Sequence, residues 1–529
     1  MHQFQVASVF SSSMVLQRDK IIRVFGWAPE GSVVKAELWE EDCKLSENEA
    51  VTENDRFLIE LPPVPGSRKN HTLKVSAGDE EKVMTDIAIG EVWLCGGQSN
   101  MEMELQNIAG GQEMLASDGD PDVRFYYTQK RPVIDEAFLR DEQLMVWKKF
   151  DPESAKCWSG VGYLFGKQLA RELDCTVGLI GCNWGGTSAS AWMDREMLAE
   201  DREVSLYLSE YEAKIAGKTL EEQKAEYDAY VVSNDTWQEK CAEMYRANPN
   251  EDWGHIQEVL GPCEWPGPIN EFNPFRPCGL YETMLQRVAP VTMRGVIFYQ
   301  GESDDHHPEL YYKLFGHMIE NWRRLFKEPD LPMLFVQLPM HRYSADPDYK
   351  HWPKIREAQA HIYRTVRNTG MAVIIDAGEF NEIHPKDKRP VGERLCRQAL
   401  AEVYGRMTRK EANGPLYREA YFKDGAALVY FDYAEDGFVL SEGTEAVGFE
   451  LAGEDRVFYP ASAKLGKGML RVTSEQVPEP RFVRYLWTNY GPVNLYGTNG
   501  IPAAPFRSSA EDTGEESGVK VQIQQIMEL

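Results

Sequence analysis

Ser99 lies in GEVWLCGGQSNME (residues 90–102), where an apolar run ends in two glycines, a glutamine, a serine and an asparagine. A serine at a strand-to-helix turn exposes its hydroxyl at a sheet edge, and the turn leaves backbone N–H groups free to bind an oxyanion. The hydroxyl alone is a weak nucleophile and needs a base. In isolation, a serine in a glycine-rich turn caps a helix more often than it attacks a carbonyl. The surrounding pattern is not GxSxG, so the usual nucleophile elbow of the α/β-hydrolases is not indicated. The natural base is a histidine, and the chain has ten. His384, in NEIHPKDK, follows the apolar run MAVIIDAGEF. Glu382, Asp376, Glu379 and Asp387 are close enough in sequence to orient its ring and stabilise an imidazolium. Spacing does not choose among them.

Two further strand ends carry polar groups. GLIGCNWGGTSASAWM (178–193) offers Gly185 and Gly186 as oxyanion donors, or Thr187 and Ser188 as caps of a following helix. RGVIFYQGESD (294–304) ends in Gln300, Gly301 and Glu302. The Gln300 amide can donate to an oxyanion or a sugar hydroxyl, and Glu302 can bind a hydroxyl or brace Gln300. His306 and His307, in GESDDHHPE, stand among acids, but adjacent side chains rarely converge on one ion. No HExxH or CxxC framework is present, so no metal is expected. Neither GxGxxG nor GxxxxGK[ST] occurs, so no nucleotide cofactor is expected either.

These groups need a scaffold that brings distant strand ends together. From about 89 to 405, short apolar runs alternate with helix-like stretches such as GYLFGKQLARELD and YYKLFGHMIENWRRLF. That rhythm predicts an α/β parallel sheet with helices on both faces, whose ligands bind beyond the carboxyl ends of the strands. Residues 1–88 read as short strands broken by Pro and Gly, a β-sandwich. Residues 406–529 return to strands and end in an acidic tail and an alternating run, VKVQIQ, a second β-domain. About 195–275 is a charged, Tyr-rich helical insertion followed by a Pro- and aromatic-rich stretch. It reads equally as a lid over the site or as a solvated hairpin.

The bulk numbers exclude several classes. A chain of 529 residues with 43% apolar content supports two or three domains. A net charge of −27 repels phosphate backbones and anionic lipid, so neither nucleic acid nor membrane is an expected partner. No run approaches the roughly 18–20 apolar residues of a spanning helix. Nine scattered cysteines and the lack of a basic, then apolar leader lead us to expect a cytoplasmic protein. Oligomeric state is not legible.

Taken in order, the motifs resemble the sialate O-acetylesterase-like carbohydrate esterases, a branch of the SGNH (GDSL-type) hydrolase superfamily. MVLQRDK followed by VFGWAPEG is similar to the family's N-terminal β-domain, and GEVWLCGGQSNME to its nucleophile block. GLIGCNWGGTSASAWM, FYQGESD and IHPKDKRPVGERL resemble the later blocks, and VRYLWTNYGPVNLYGTNGIPAAPFRS the end of the C-terminal β-domain. The resemblance implies Ser99 as nucleophile, His384 as base, and the Ser99 and Gly186 N–H groups with Gln300 as oxyanion hole. Glu302, Asn100 and Arg356 become candidates for substrate binding, with Arg276 a second cation for an anionic sugar. In the wider superfamily an Asp lies three residues before the His. Asn381 is at that position here, and Glu382, two before, is the nearest acid. The implied activity is removal of O-acetyl groups from a small carbohydrate, sialic acid first and acetylated xylan or another plant glycan second. A glycan-binding protein without catalysis is the alternative from another class. Trp265, Phe272 and Phe275 of the insertion could stack on a sugar face.

Overall fold

The computed structural model describes residues 3–117, 119–248, 251, 253–343 and 348–510. The residues from 511 onward, with the acidic tail's end and the VKVQIQ run, lie outside the described residues.

One large sheet organises the molecule. Its strands, in chain order, are β1 (Val15–Gln17), β2 (Val33–Glu40), β3 (Cys43–Val51), β4 (Ser67–Ala77), β5 (Glu80–Gly97), β6 (Val123–Tyr127), β7 (Lys148–Lys149), β8 (Val177–Asn183), β9 (Gly295–Tyr299), β10 (Met333–Gln337) and β11 (Thr369–Val373). The central order is β7-β6-β8-β5-β9-β10-β11, parallel throughout except for β7 at one edge. Strands β8, β9, β10 and β11 are buried along their whole length, as expected where helices cover both faces.

Successive residues of β5 show the two faces. Cys95 lies under Gly162 of the helix Gly160–Leu173, while Gly96 lies under Trp322 of the helix Tyr311–Leu325. The helix Arg389–Glu402 packs beside the first, and His351–Thr365 beside the second.

Strand β5 is 18 residues long. Its outer end, Glu80–Val83, is exposed and pairs antiparallel with β4; from Ile87 the strand is buried, and from Glu91 it pairs in parallel with β8. It therefore runs through position 88–89, where the sequence suggests a domain boundary. The N-terminal strands extend the central sheet, and a second sheet of Gln5–Val6, Ile22–Trp27 and Arg56–Leu61 lies beside them. No linker is needed, because the exposed outer part and the buried inner part share one strand.

After residue 410 all strands pair antiparallel. Two four-stranded sheets form there, and Tyr417, Phe431, Phe449, Tyr485 and Phe506 pack ring on ring between them. The insertion is helical, as its charge pattern suggests. Its long helix Leu220–Ala247 starts at a Thr219–Glu222 capping box and buries only Gln223 and Cys241. Most of that helix is a solvated face. Among the described residues, no helix is long and apolar enough to cross a membrane.

Candidate functional site

Register brings the three polar turns together. Gly97 of β5 is level with Asn183 of β8 on one side and Tyr299 of β9 on the other. Each strand ends at the same height, so the Gln98–Ser99, Trp184–Gly186 and Gln300–Gly301 turns meet at one edge. Gly97 has φ +133°, and a Cβ there would sit 2.1 Å from the Tyr299 carbonyl oxygen. The strand can turn out of the sheet at that point only with glycine.

Ser99 opens a short helix, Ser99–Glu102, with Gln98 at its N-cap. Gln98 is tied down by its own N–H to Tyr299 O at 3.0 Å, and its side-chain oxygen accepts from the Ser303 N–H at 3.2 Å. The Ser99 hydroxyl thus has a rigid mount. His384 comes from the loop after β11, 285 residues away, and its Nε2 lies 2.8 Å from Ser99 Oγ. Its side chain is 40% exposed, open to the cleft. Partial loss of hydration, reinforced by the nearby Lys388 ammonium, pushes His384 down to about 4. Its ring is therefore neutral, and able to take a proton, throughout the neutral range.

Four carboxylates compete in sequence for the other ring nitrogen, and the geometry separates them. Asp376 is held by Arg394 at 2.5 and 2.8 Å, and Asp387 by Arg389 at 2.8 and 2.7 Å. Glu379 meets Glu382 only through a backbone bridge. Glu382 comes nearest: its Oε1 is 3.7 Å from His384 Nδ1. That is an ion-pair distance, beyond a hydrogen bond, and the same oxygen accepts from the His384 backbone N–H at 2.8 Å. The positive φ of Asn381, 62°, turns the chain so that Glu382 folds back on this loop.

Opposite the hydroxyl lies the Gly185–Gly186 turn. Gly185 donates its N–H to Glu102 Oε2, and Lys130 Nζ in turn bonds Glu102 Oε1 at 2.5 Å. Gly186 has φ +77°, with Trp265 and Phe275 of the insertion packed where a side chain would go. These two rings are therefore a wall behind the turn, whereas Phe272 lies apart under Lys224. Among the described residues, the N–H groups of Ser99 and Gly186 have no acceptor. Both are placed to donate to an oxyanion. The open cleft beside them measures about 560 Å³ and is lined by Ser99, His384, Glu102, Met103, Tyr127 and Lys130, among others. A larger cavity of about 850 Å³, between the helix His351–Thr365 and the C-terminal sheets, contains neither Ser99 nor His384.

Several candidates from the sequence are placed elsewhere. Gln300 is not an oxyanion donor: both its amide protons are used, on Thr187 O at 3.2 Å and Asp304 Oδ2 at 2.5 Å, and Tyr311 donates to its oxygen. It braces the turn. Arg356 does not bind substrate. It is fully buried, and its guanidinium donates to the carbonyls of Leu338, Pro339, Thr488 and Asn489, fastening the exit of β10 to the C-terminal region. Arg276 is buried as well, on Glu271 and Glu282. Asn100 and Glu302 lie beneath Ser99 and His384 with almost no exposure, so neither can touch a substrate.

They form an interior cluster instead. Asn100 Nδ2 donates to Glu302 Oε1 at 2.7 Å and to the Ile383 carbonyl at 2.9 Å, and Lys388 Nζ donates to Asn100 Oδ1 at 2.5 Å. Burial pushes Glu302 up to about 7 and Lys388 down to about 8. The bond to Ile383 fixes the loop one residue before the histidine. Sequence reasoning missed Glu102, Lys130, Asp304 and Lys388. Three of them could have been found, since Glu102 is three residues after Ser99, and Asp304 and Lys388 are four after Gln300 and His384, all within a single turn.

A hydroxyl 2.8 Å from a histidine at the carboxyl edge of a parallel sheet, beside unpaired backbone N–H groups, is an arrangement suited to carboxylic ester hydrolysis. Residues 242–401 match the family described as carbohydrate esterase, sialic acid-specific acetylesterase. Sialate O-acetylesterase of Mus musculus is 25% identical, over 97% of this chain and 95% of that protein. The Homo sapiens protein of the same name is 26% identical, over 97% and 94%. Among solved structures, a carbohydrate acetylesterase from Xanthomonas citri superposes with a TM-score of 0.73 at 25% identity, covering 96% of this chain and 99% of that one. The chain is a carboxylic ester hydrolase that resembles the sialate O-acetylesterase-like carbohydrate esterases over nearly its whole length.

Proposed function

We propose that this enzyme removes O-acetyl groups from sialic acid through an acetyl-Ser99 intermediate. The observation that carries the reading is the 2.8 Å contact between Ser99 Oγ and His384 Nε2 at the edge of the sheet. His384 takes the hydroxyl proton as Ser99 attacks the acetyl carbonyl. The Ser99 and Gly186 N–H groups receive the charge that develops on the carbonyl oxygen. Collapse expels the sugar oxygen, which recovers the proton from His384, and leaves acetyl-Ser99. A water deprotonated by the same ring attacks this ester, and acetate and the free hydroxyl are regenerated. Glu382, 3.7 Å from Nδ1, stabilises the imidazolium by charge rather than by a hydrogen bond. The catalytic unit is then a Ser–His dyad with a neighbouring acid.

Sialic acid carries a carboxylate, and this acidic chain needs a local cation to receive it. Lys130, on the cleft wall, fills that place in the reading, and Arg356 and Arg276 do not. The relatives' names support the choice of sugar. The same reading takes the core as SGNH-type, supported by the strand order around β5 and by the late histidine loop. The flanks are read as β-sandwich-like, supported by paired sheets on either side. It keeps the division into 1–88, 89–405 and 406–529, with the first boundary falling inside β5.

Acetate release from O-acetylated sialic acid and from acetylated xylo-oligosaccharide, by the wild type and by Ser99→Ala, tests it. Cleavage of the sialic acid substrate by the wild type alone is expected. Equal release by Ser99→Ala would remove the mechanism, and a preference for xylan would remove the sugar.

A further inference from the structure

His306 and His307 are adjacent, and on extended chain their side chains would point apart. Here the backbone runs through successive tight turns, with Asp304 N–H to Gly301 O and His307 N–H to Asp304 O, both at 3.1 Å. The two rings lie side by side, with centroids 4.6 Å apart. A third donor arrives from the insertion. Glu210, on the helix Leu206–Ile215, places Oε1 2.9 Å from His307 Nε2. One ligand atom from each of the three residues falls within 4.8 Å of the others. Tyr207, one turn before Glu210 on the same helix face, packs edge-on against both imidazoles at 5.8 and 5.5 Å.

We propose that Glu210, His306 and His307 bind one divalent transition-metal cation of the zinc type, which fastens the insertion to the loop after β9. Two imidazoles and one carboxylate are a donor set suited to a borderline cation, whereas calcium or magnesium would call for oxygen ligands. Bonds of about 2.0–2.1 Å place tetrahedral donors roughly 3.3 Å apart. Small rotations close the gap, and the Glu210 side chain, 42% exposed, has room to make them. Water completes the coordination.

The consequence is mechanical. Asp304, between Gln300 and His306, accepts from the Ser188 hydroxyl at 2.5 Å, the Ala189 N–H at 2.9 Å and the Tyr207 hydroxyl at 3.1 Å. The loop that would hold the metal is thus bonded to the segment directly after the Gly185–Gly186 turn. Metal binding stiffens this wall of the cleft and takes no part in the acyl transfer.

The experiment uses the full chain, stripped with chelator and titrated with Zn²⁺ by calorimetry, and with Co²⁺ by absorption. The wild type should bind one equivalent and unfold at a higher temperature with Zn²⁺ present. The His306→Ala/His307→Ala variant should lose both effects. Glu210→Gln, on an exposed side chain that leaves the fold intact, should weaken binding at least tenfold. Cys43→Ser/Cys157→Ser, which removes the two exposed thiols, should bind as the wild type does. Absence of a stoichiometric site in the wild type would overturn the proposal. So would full-strength binding by Glu210→Gln, or a Co²⁺ spectrum with a thiolate charge-transfer band.

Discussion

Ser99 and Asn100 are neighbours on one helical turn, and both reach across to the 383–388 loop. Ser99 meets His384 at 2.8 Å, and Asn100 meets Ile383 O at 2.9 Å and Lys388. The first pair faces the cleft, while the second is sealed, with Asn100 and Lys388 at 0% and 1% exposure. In the open pair, the hydroxyl and the ring keep capacity for a new bond. In the sealed cluster, both side-chain polar atoms of Asn100 are committed, and a carboxylate and an ammonium are held apart by its amide. Two adjacent residues facing one loop therefore produce a reactive pair and a brace. The distinction lies in exposure and unspent hydrogen-bonding capacity, not in residue type.

Substitutions can break each side of this comparison separately. On the open side, His384→Ala should lower turnover by about 10⁴–10⁶, with little change in melting temperature, because the ring is half exposed. Acetate release and a thermal scan on the same preparation check both parts. On the sealed side the order reverses. Asn100→Ala leaves a buried carboxylate and ammonium without their bridge and should cost about 3–5 kcal/mol of stability, measured by denaturant unfolding.

Lys388 links the two regions, because its charge lowers the pKa of His384. The acid limb of kcat/KM should fall through pH of about 4 in the wild type. In Lys388→Met the imidazolium loses a repelling neighbour, so its pKa rises and the limb moves toward the ordinary value near 6.5. An unmoved limb would separate the cluster from the histidine. Lys130→Ala sharpens the reading of the cleft. KM for O-acetylated sialic acid should rise by about tenfold, as for a lost partly exposed charge-assisted bond, while a neutral acetylated sugar should be unaffected. Smallest of all, Gln300→Met should reduce turnover by less than about tenfold, against the roughly 10²–10³ expected of a true oxyanion donor.

The same distinction decides what was legible in the sequence. The parallel core could be read because buried strands and amphipathic helices leave different periodicities, and all three polar turns follow such strands. Ser99 and His384 were open candidates as polar types at strand ends, and it was the resemblance of the ordered motifs that singled them out. Gln300 and Arg356 could not be placed, since an amide or guanidinium looks the same in sequence whether its protons face a ligand or a carbonyl. The continuity of β5 through residue 88 was hidden by a change of texture that records burial, not a break in the chain. Glu210 was invisible for another reason. It lies 96 residues before His306 on a charged helix, and only the packing of Tyr207 turns that face toward the histidines.

The central claim is that His384 makes Ser99 a nucleophile. Labelling with a serine-directed organophosphonate, followed by peptide mapping, tests it most directly. The account predicts one labelled residue, Ser99, with labelling lost in His384→Ala and retained in Gln300→Met. Label on another residue, or labelling of Ser99 that persists without His384, would contradict it.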